Sequence, residues 1–374
     1  MDFTFEDAII EKMQEIFIHE LTVMPARIKE SSGIISDLPD YRFEYLMDPE
    51  DLPPVGLTPK DVIHEDNKMK LYRYKSDVPK KYKTPLLFVY ALINKPYILD
   101  LQPGNSFIEY CLDMGHDVYM IDWGEPTPED RFLEFDHYID QYINDCVDII
   151  LDETETEQIN LFGWCIGGHL ALIYAAIYAE KIKNLVLLTT PFDSSMGGLI
   201  QLWADEEVFH LDKIIDTYGN MPAKLVRYGV MSIYPFKEFK KNTVFYDNMD
   251  NWMFKQAYAL AEKWMNDNID IPGQAFKKYI YDCFQTTNLR DGKMLINDRP
   301  VKLSSLNMPL LNIAAKDDHI VTIESVKSLE KFIKSSDYTF MEIEGGHVGV
   351  AYEARTRVAW PEIIKWINSR TDTI

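Results

Sequence analysis

The chain has 374 residues, of which 47% are apolar and 26% are charged, values that are typical of a globular protein with a full core. Its formal net charge of −22 repels phosphate backbones, so nucleic acid is not an expected partner. The four cysteines show neither a CxxC pair nor zinc-ligand spacing, which predicts free thiols in a reducing cytoplasm and no metal site. No apolar run is long enough to cross a membrane, and the acidic first residues lack the layout of a secretion signal.

Residues 1–60 are predicted to form an N-terminal helix and a leader. Apolar residues recur at helical spacing between about residues 5 and 25, which predicts one apolar stripe along a helix. The stripe can pack on its own domain or dock on a partner, and the sequence leaves both open. Several prolines then mark a loop.

Strands and helices alternate along residues 61–191. Short apolar runs predict buried strands, and amphipathic segments predict the helices between them. The alternation implies a mostly parallel sheet with helices on both faces. The predicted strands are Lys70–Lys75, Pro85–Leu92, Asp117–Trp123, Gln158–Phe162 and Asn184–Thr189, and the predicted helices are Ser106–Met114, Phe135–Leu151 and Gly167–Glu180.

The alternation stops after Pro191 and resumes near residue 301. Residues 192–300, which we call the cap, carry many aromatic and Met residues at helical spacing but no buried strand, and they predict an inserted, mainly helical domain. Residues 301–374 complete the core. Strands are predicted there at Pro309–Ala314 and Tyr338–Ile343, and helices at Ile323–Ile333 and Val358–Ser369.

A nucleophile turn is predicted at Gly163–Gly167, between a strand and a helix. The pattern G-x-nucleophile-x-G puts the reactive side chain on a sharp turn, where Gly163 and Gly167 let the strand and helix approach. The helix start directs N–H groups and its positive dipole end at the same spot, which favours a thiolate and can hold an oxyanion. Cys165 is therefore the candidate nucleophile. A structural cysteine beside two chance glycines is the alternative.

An acid and a base are expected further along the chain. In the α/β-hydrolase fold, which carries such turns, the acid follows the nucleophile and the histidine comes last. Asp318 follows a predicted strand, and His347 follows the final predicted strand after two glycines. The chain order therefore predicts a triad of Cys165, Asp318 and His347.

Three neighbouring side chains need separate assignment. Asp317 is the alternative to Asp318 as the acid. His319 adjoins the acid and is a candidate supporting residue. His169 lies on the helix after the nucleophile turn and is expected to be structural. The other three cysteines are expected to be slow, buried thiols, because two lie on predicted helices and one lies in the cap.

Four segments together resemble polyhydroxyalkanoate synthases. Leu92–Leu101 is similar to the family's motif after its third core strand, and Gly163–Gly168 resembles its lipase box with Cys in place of Ser. Asp318–Val321 and Gly346–His347 resemble its acid and base segments. The set is far more specific than any one of these motifs.

The resemblance implies an acyltransferase that polymerises 3-hydroxyacyl-CoA into a polyester and releases CoA through an acyl-cysteine intermediate. The backbone N–H groups of Ile166 and of Ile93, at the corner after the third core strand, would hold the oxyanion. No cofactor is implied, because CoA is part of the substrate and a product. The cap would be an apolar lid against water.

The resemblance also carries expectations about assembly. The short length is similar to that of the two-component synthases, which implies a second synthase subunit. A homo-oligomer such as a dimer is expected, located in the cytoplasm at the surface of polyester granules. The growing polyester chain is then a partner as well as a product.

Two other functions stay open at this point. A thioesterase or an intracellular polyester depolymerase of the same fold would use the same nucleophile turn, although Cys in place of Ser argues against an ordinary esterase. A non-catalytic interaction subunit would keep the fold and lose the reactivity, and the intact Cys, Asp and His argue against it.

Overall fold

The computed structural model describes residues 52–232, 248 and 250–374. The helix predicted between residues 5 and 25, most of the leader, and part of the cap lie outside the described residues. Within the described ranges, the strands are β1 (Lys60–Asp66), β2 (Met69–Tyr74), β3 (Leu86–Val89), β4 (Asp100–Gln102), β5 (Asn105–Ser106), β6 (Val118–Asp122), β7 (Ile159–Trp164), β8 (Ile182–Leu188), β9 (Leu295–Ile296), β10 (Arg299–Pro300), β11 (Leu310–Ala315) and β12 (Tyr338–Ile343).

One sheet of eight described strands organises the core, in the order β1-β2-β6-β3-β7-β8-β11-β12. Strand β2 runs antiparallel to both of its neighbours, and every pairing from β6 to β12 is parallel. Strands β3, β7 and β11 are buried along their whole length. Such burial is expected of parallel strands covered on both faces, and it confirms the predicted sheet.

Helices cover the sheet close to the predicted positions. In the described ranges, the α-helices are α1 (Phe107–Asp113), α2 (Phe135–His137), α3 (Asn144–Thr154), α4 (Ile166–Ile177), α5 (Leu199–Ala204), α6 (Leu211–Tyr218), α7 (Ala223–Ser232), α8 (Trp252–Asn266), α9 (Gly273–Ile280), α10 (Ile323–Ser328), α11 (Gly349–Tyr352) and α12 (Trp360–Asn368). Short 3-10 helices lie at Pro96–Leu99, Pro128–Phe132, Ala179–Lys181, Ser194–Met196, Leu303–Ser305, Leu329–Lys331 and Arg357–Ala359.

The structure differs from the predicted boundaries in two informative places. The long helix predicted from Phe135 contains a π-helical stretch over Tyr138–Ile143, between α2 and α3. The strand predicted over Pro85–Leu92 ends at Val89, and the apolar residues after it leave the sheet as a buried loop. Because that loop is buried, its residues are apolar, and its sequence therefore resembles that of a continued strand.

The cap lies between β8 and β11, which are neighbours in the sheet. Its described residues form α5 to α9, a π-helical turn at Tyr281–Gln285 and the small β9–β10 hairpin. Several of its described aromatic side chains pack against one another: the ring of Trp203 lies 6.0 Å from that of Phe209 and 5.9 Å from that of Phe276. The cap boundaries stay a prediction. Among the described residues, none of the helices combines the length and apolarity needed to cross a bilayer.

Candidate active site

Cys165 occupies a strained turn between β7 and α4, with φ 55° and ψ −121°. This backbone conformation is unfavourable for a residue with a side chain, so it persists only where the surroundings enforce it. The Cys165 N–H donates to the carbonyl of Leu188 at 3.0 Å, and its carbonyl accepts from the N–H of Gly168 at 2.9 Å. The turn is therefore anchored to β8 on one side and to the helix on the other.

The two glycines of the turn allow close approaches that no other residue permits. A Cβ on Gly163 would lie 2.6 Å from the Cα of Gly168, and one on Gly167 would lie 2.2 Å from the carbonyl oxygen of Val89. Both distances are far below van der Waals contact. The helix start thus rests directly against the end of β3.

His347 and Asp318 form a buried pair at the ends of β12 and β11. The Nδ1 of His347 lies 2.7 Å from one carboxylate oxygen of Asp318, whose side chain is fully buried. The other oxygen accepts the N–H groups of Ile320 and Val321 at 2.8 and 2.9 Å. These bonds fix the carboxylate, which in turn fixes the imidazole ring.

The charge of His347 depends on opposing effects. Burial lowers its pKa, but the charges and hydrogen bonds of Asp318 and Cys165 raise it more strongly, to about 10. Since Nδ1 faces Asp318, the remaining ring nitrogen, Nε2, is the one available to the sulfur. At neutral pH the imidazole therefore holds its proton beside Cys165.

The alternative residues lie elsewhere. Asp317 is exposed and pairs with the guanidinium of Arg355 at 2.9 Å, so it is Asp318 that contacts the imidazole. His319 is exposed beside the acid. His169 is fully buried in α4, where its Nδ1 lies 3.0 Å from the hydroxyl of Tyr279, and burial lowers its pKa to about 3. It is therefore neutral.

All four cysteines lie in the described part of the chain and are free, and Cys165 is the one that is not fully buried. Burial raises the pKa of the other three thiols, Cys111, Cys146 and Cys283. A buried thiol with a raised pKa reacts slowly. A thiol reagent should therefore distinguish Cys165 from the rest.

The two expected oxyanion donors lie on adjoining elements. Ile166 is the first residue of α4, so its N–H has no acceptor inside the helix. Ile93 lies in the loop after β3, which begins where the backbone of Val89 and Tyr90 presses on Gly167. The carbonyl of Ile93 accepts the N–H of Ile269 from the cap at 3.1 Å. The donor role of both residues stays a prediction.

The sequence-based reasoning gives no role to Trp164, which lies directly before Cys165. Its ring lies 6.5 Å from that of His347 and 6.4 Å from the nearly parallel ring of Trp264 in α8. Its indole N–H donates to the hydroxyl of Thr189 at 3.0 Å. The available signal is a large aromatic residue at the end of a buried strand, next to a nucleophile.

Comparison with solved structures supports the fold alone. A protein provisionally assigned as a lipase from Sulfolobus solfataricus matches with a TM-score of 0.54 at 13% identity, over 82% of this chain and 92% of that one. A family model described as the alpha/beta hydrolase fold matches residues 84–213. These findings agree with the fold predicted from the sequence.

Comparison of sequences is more specific. A family model described as the N-terminus of poly-beta-hydroxybutyrate polymerase (PhaC) matches residues 53–111. The poly(3-hydroxyalkanoate) polymerase subunit PhaC of Haloferax mediterranei is 36% identical over 85% of this chain, which spans 65% of that protein. The PhaC subunits of Thiocystis violacea and Synechocystis sp. are 35% and 34% identical, each over 84% of this chain and over 90% and 86% of their own lengths. The chain therefore belongs to the poly(3-hydroxyalkanoate) polymerase family, as a PhaC-type subunit with an α/β-hydrolase fold.

Proposed function

We propose that the chain carries out the polymerisation of its family by moving a 3-hydroxyacyl group from CoA to Cys165, and from there to a growing polyester. The observation that carries the proposal is one set of contacts. Cys165 lies on the strained turn at the start of α4, and its charge helps to raise the pKa of His347, whose Nδ1 is held by the buried carboxylate of Asp318. This is the arrangement required of an activated nucleophile.

The first step exchanges one thioester for another. The thiolate of Cys165 attacks the acyl carbonyl carbon, and the N–H groups of Ile166 and Ile93 hold the oxyanion. The bond to the CoA sulfur then breaks, and the Nε2–H of His347 gives its proton to the departing thiolate. The products are acyl-Cys165 and free CoA, and the two thioesters are similar in energy.

The second step forms the ester. Neutral His347 takes the proton of a hydroxyl group on another hydroxyacyl unit, whose oxygen attacks the acyl carbon. The bond to Cys165 breaks, which restores the thiolate beside the imidazolium. Both oxygens of Asp318 are engaged, one by His347 and one by backbone N–H groups, which supports an orienting role over direct action on the hydroxyl.

The cap acts as a lid in this scheme. Water competes with the hydroxyl for the acyl-enzyme, so an apolar cover favours polymer over free acid. The contact of Trp264 with Trp164, next to the nucleophile, supports this role for residues 192–300. The buried contact of Tyr279 with His169 on α4 supports it further.

A hydrolase of the same fold is the competing function. A thioesterase or a depolymerase would use the same three side chains and pass the acyl group to water. The relatives named as polymerases favour the synthase. The products separate the two, because polyester is insoluble and the hydroxy acid is not.

Assembly with a second subunit forms part of the proposal. Several relatives are named as polymerase subunits, which supports a partner chain. A dimer at the surface of a polyester granule is proposed with it. Light scattering of the purified chain, before and after polymer forms, would measure the mass of the assembly and the association with granules.

The deciding experiment follows CoA release from 3-hydroxybutyryl-CoA in the wild type, in Cys165→Ala and in the control Cys146→Ala. Cys146 is also free but is buried against Met69, with 3.7 Å between the two sulfur atoms. We expect release and insoluble polyester from the wild type and Cys146→Ala, and neither from Cys165→Ala. Release that survives in Cys165→Ala contradicts the nucleophile, and soluble acid as the product favours the hydrolase.

A further inference from the structure

The loop after β3, residues 90–97, is held by side chains from the end of α8. The ammonium of Lys95 lies 2.8 Å from Oδ1 of Asp267 in the cap and 2.8 Å from Glu125 of the core. The hydroxyl of Tyr97 donates to Oδ2 of the same Asp267 at 3.1 Å. One cap carboxylate therefore binds two residues of the loop.

Backbone contacts run alongside these side chains. The indole N–H of Trp264 donates to the carbonyl of Lys95 at 2.7 Å, and the N–H of Ile269 donates to the carbonyl of Ile93 at 3.1 Å. Asn94 and Asn268 pair through their side-chain amides and form an antiparallel β-bridge. The whole segment 264–269 thus lies along the loop.

The opposite side of the loop is fixed by the core. The carbonyl of Tyr90 accepts the indole N–H of Trp123 at 2.9 Å, and the backbone of Tyr90 presses on Gly167 at the start of α4. Between this anchor and the cap contacts lies Ile93, the expected oxyanion donor. Its position therefore depends on the core at one end and on the cap at the other.

We propose that residues 264–269 clamp the loop after β3, and that Asp267 and Trp264 are positioning residues that hold the Ile93 N–H in place for the oxyanion. The inference rests on the proposed function. A donor stabilises an oxyanion only when it is held about 3 Å from the developing charge, and loops need external contacts to be held so closely.

The ion pair is suited to positioning more than to stability. Lys95 and Asp267 are 31% and 32% exposed, so solvent screens their attraction and little folding energy depends on it. Its geometric effect remains, because it ties two elements that lie about 170 residues apart in sequence to the same side of the site. Cap and catalysis are then coupled, since a cap that moves away releases the donor.

The test uses Asp267→Ala and Trp264→Phe, with two measurements on each full-length variant. Steady-state CoA release gives kcat and KM, and alkylation by iodoacetamide gives the reactivity of Cys165 itself. We expect kcat to fall by about tenfold to a hundredfold, with KM nearly unchanged, because a displaced donor weakens only the transition state. Alkylation forms no oxyanion, so its rate should stay at the wild-type value.

Asp212→Ala is the matched control, since it removes another ion pair of the cap, with Lys277 at 2.8 Å, that does not involve the loop. In Asp212→Ala, kcat, KM and the rate of Cys165 alkylation should all equal the wild-type values. Wild-type kcat in both test variants overturns the clamp, and so does alkylation that slows together with kcat. Trp264→Phe keeps an aromatic ring while it removes the indole N–H that contacts Lys95, so it remains informative if Asp267→Ala does not fold. CoA release that persists in Cys165→Ala would instead reject the proposed function.

Discussion

The core and the cap contribute to the candidate site in different ways. In the core, strands β3, β7 and β11 are buried over their full length, and their ends carry the turn and loops of the candidate site. The cap packs several of its own aromatic residues together and contacts the core at many points, among them Trp264 and Tyr279. The sheet therefore positions the candidate reactive side chains, and the cap supplies part of their surroundings.

The contrast has a functional consequence. A change at the end of a core strand should reduce bond-making itself, because in the proposed mechanism these ends carry the nucleophile, the base and the residue that orients the base. A change in the cap should alter the fate of the acyl group or the geometry around it, and should leave the sulfur reactive. The following predictions test that division.

The largest effect is expected for Asp318→Asn. Without the carboxylate, His347 loses the larger of the two charges that raise its pKa to about 10, and it also loses the partner that orients its ring. We expect kcat to fall by about a thousandfold to ten-thousandfold, as for removal of the carboxylate in comparable triads. The imidazole of His347 should lose its proton at a lower pH than in the wild type, as measured by NMR. Asp317→Asn is the control, and similar losses in both variants would contradict the assignment.

Packing in the two layers is compared by Trp203→Ala in the cap and Phe162→Ala in β7. Each removes a large buried ring, which costs about 3–5 kcal/mol. In Phe162→Ala we expect the free energy of unfolding of the whole protein to decrease, as measured by urea unfolding. In Trp203→Ala the lost packing should loosen the cap. The share of free acid among the products should then rise, and the rate of Cys165 alkylation should stay unchanged. A lower rate of Cys165 alkylation in Trp203→Ala would contradict the division of roles between the cap and the core.

Acid stability tests the seam between the layers, where His169 meets Tyr279. The pKa of His169 is lowered to about 3, so the unfolded chain takes up a proton below its ordinary pKa of 6.5 while the folded chain does not. Its contribution to stability is present above 6.5 and is lost as pH falls. In His169→Phe, the pH slope of the unfolding free energy between about 5.5 and 4.5 should shrink by about 1.4 kcal/mol per unit. An unchanged slope would show that His169 is not held neutral.

The smallest effect is expected at the start of α8. The side chain of Asn251 accepts the N–H of Phe254 at 3.2 Å and so caps the helix. Removing such a cap costs about 1 kcal/mol. Hydrogen exchange should show faster opening of the first turn of α8 in Asn251→Ala, with amides in β7 unaffected. Faster exchange in β7 would mean that cap and core open as one unit.

Sequence patterns predict the parts of the molecule that depend on local chemistry. The parallel strands follow from short apolar runs, and the turn at Cys165 follows from glycines that a close approach of chain requires. Chain order alone places Asp318 and His347 after the right strands, and the structure brings them to 2.7 Å. Each of these features is recorded within a few consecutive residues.

The contacts between the cap and the core leave no such pattern in the sequence. Lys95 lies in the segment Leu92–Leu101 and Asp267 lies in the cap, but no sequence pattern pairs them, because their contact depends on how the cap packs on the core. The π-helical stretch at Tyr138–Ile143 is missed for a related reason, since one extra residue in a turn hardly changes an apolar stripe. Tertiary packing decides both, and it is not periodic in the sequence.

The position of Trp164 allows the candidate site to be followed by tryptophan fluorescence. Its indole lies beside the imidazole of His347 on one side and beside the indole of Trp264 on the other. A protonated imidazole quenches indole emission, and a neutral one quenches it less. If His347 gives its proton to the departing CoA as proposed, the fluorescence of Trp164 should brighten at that step.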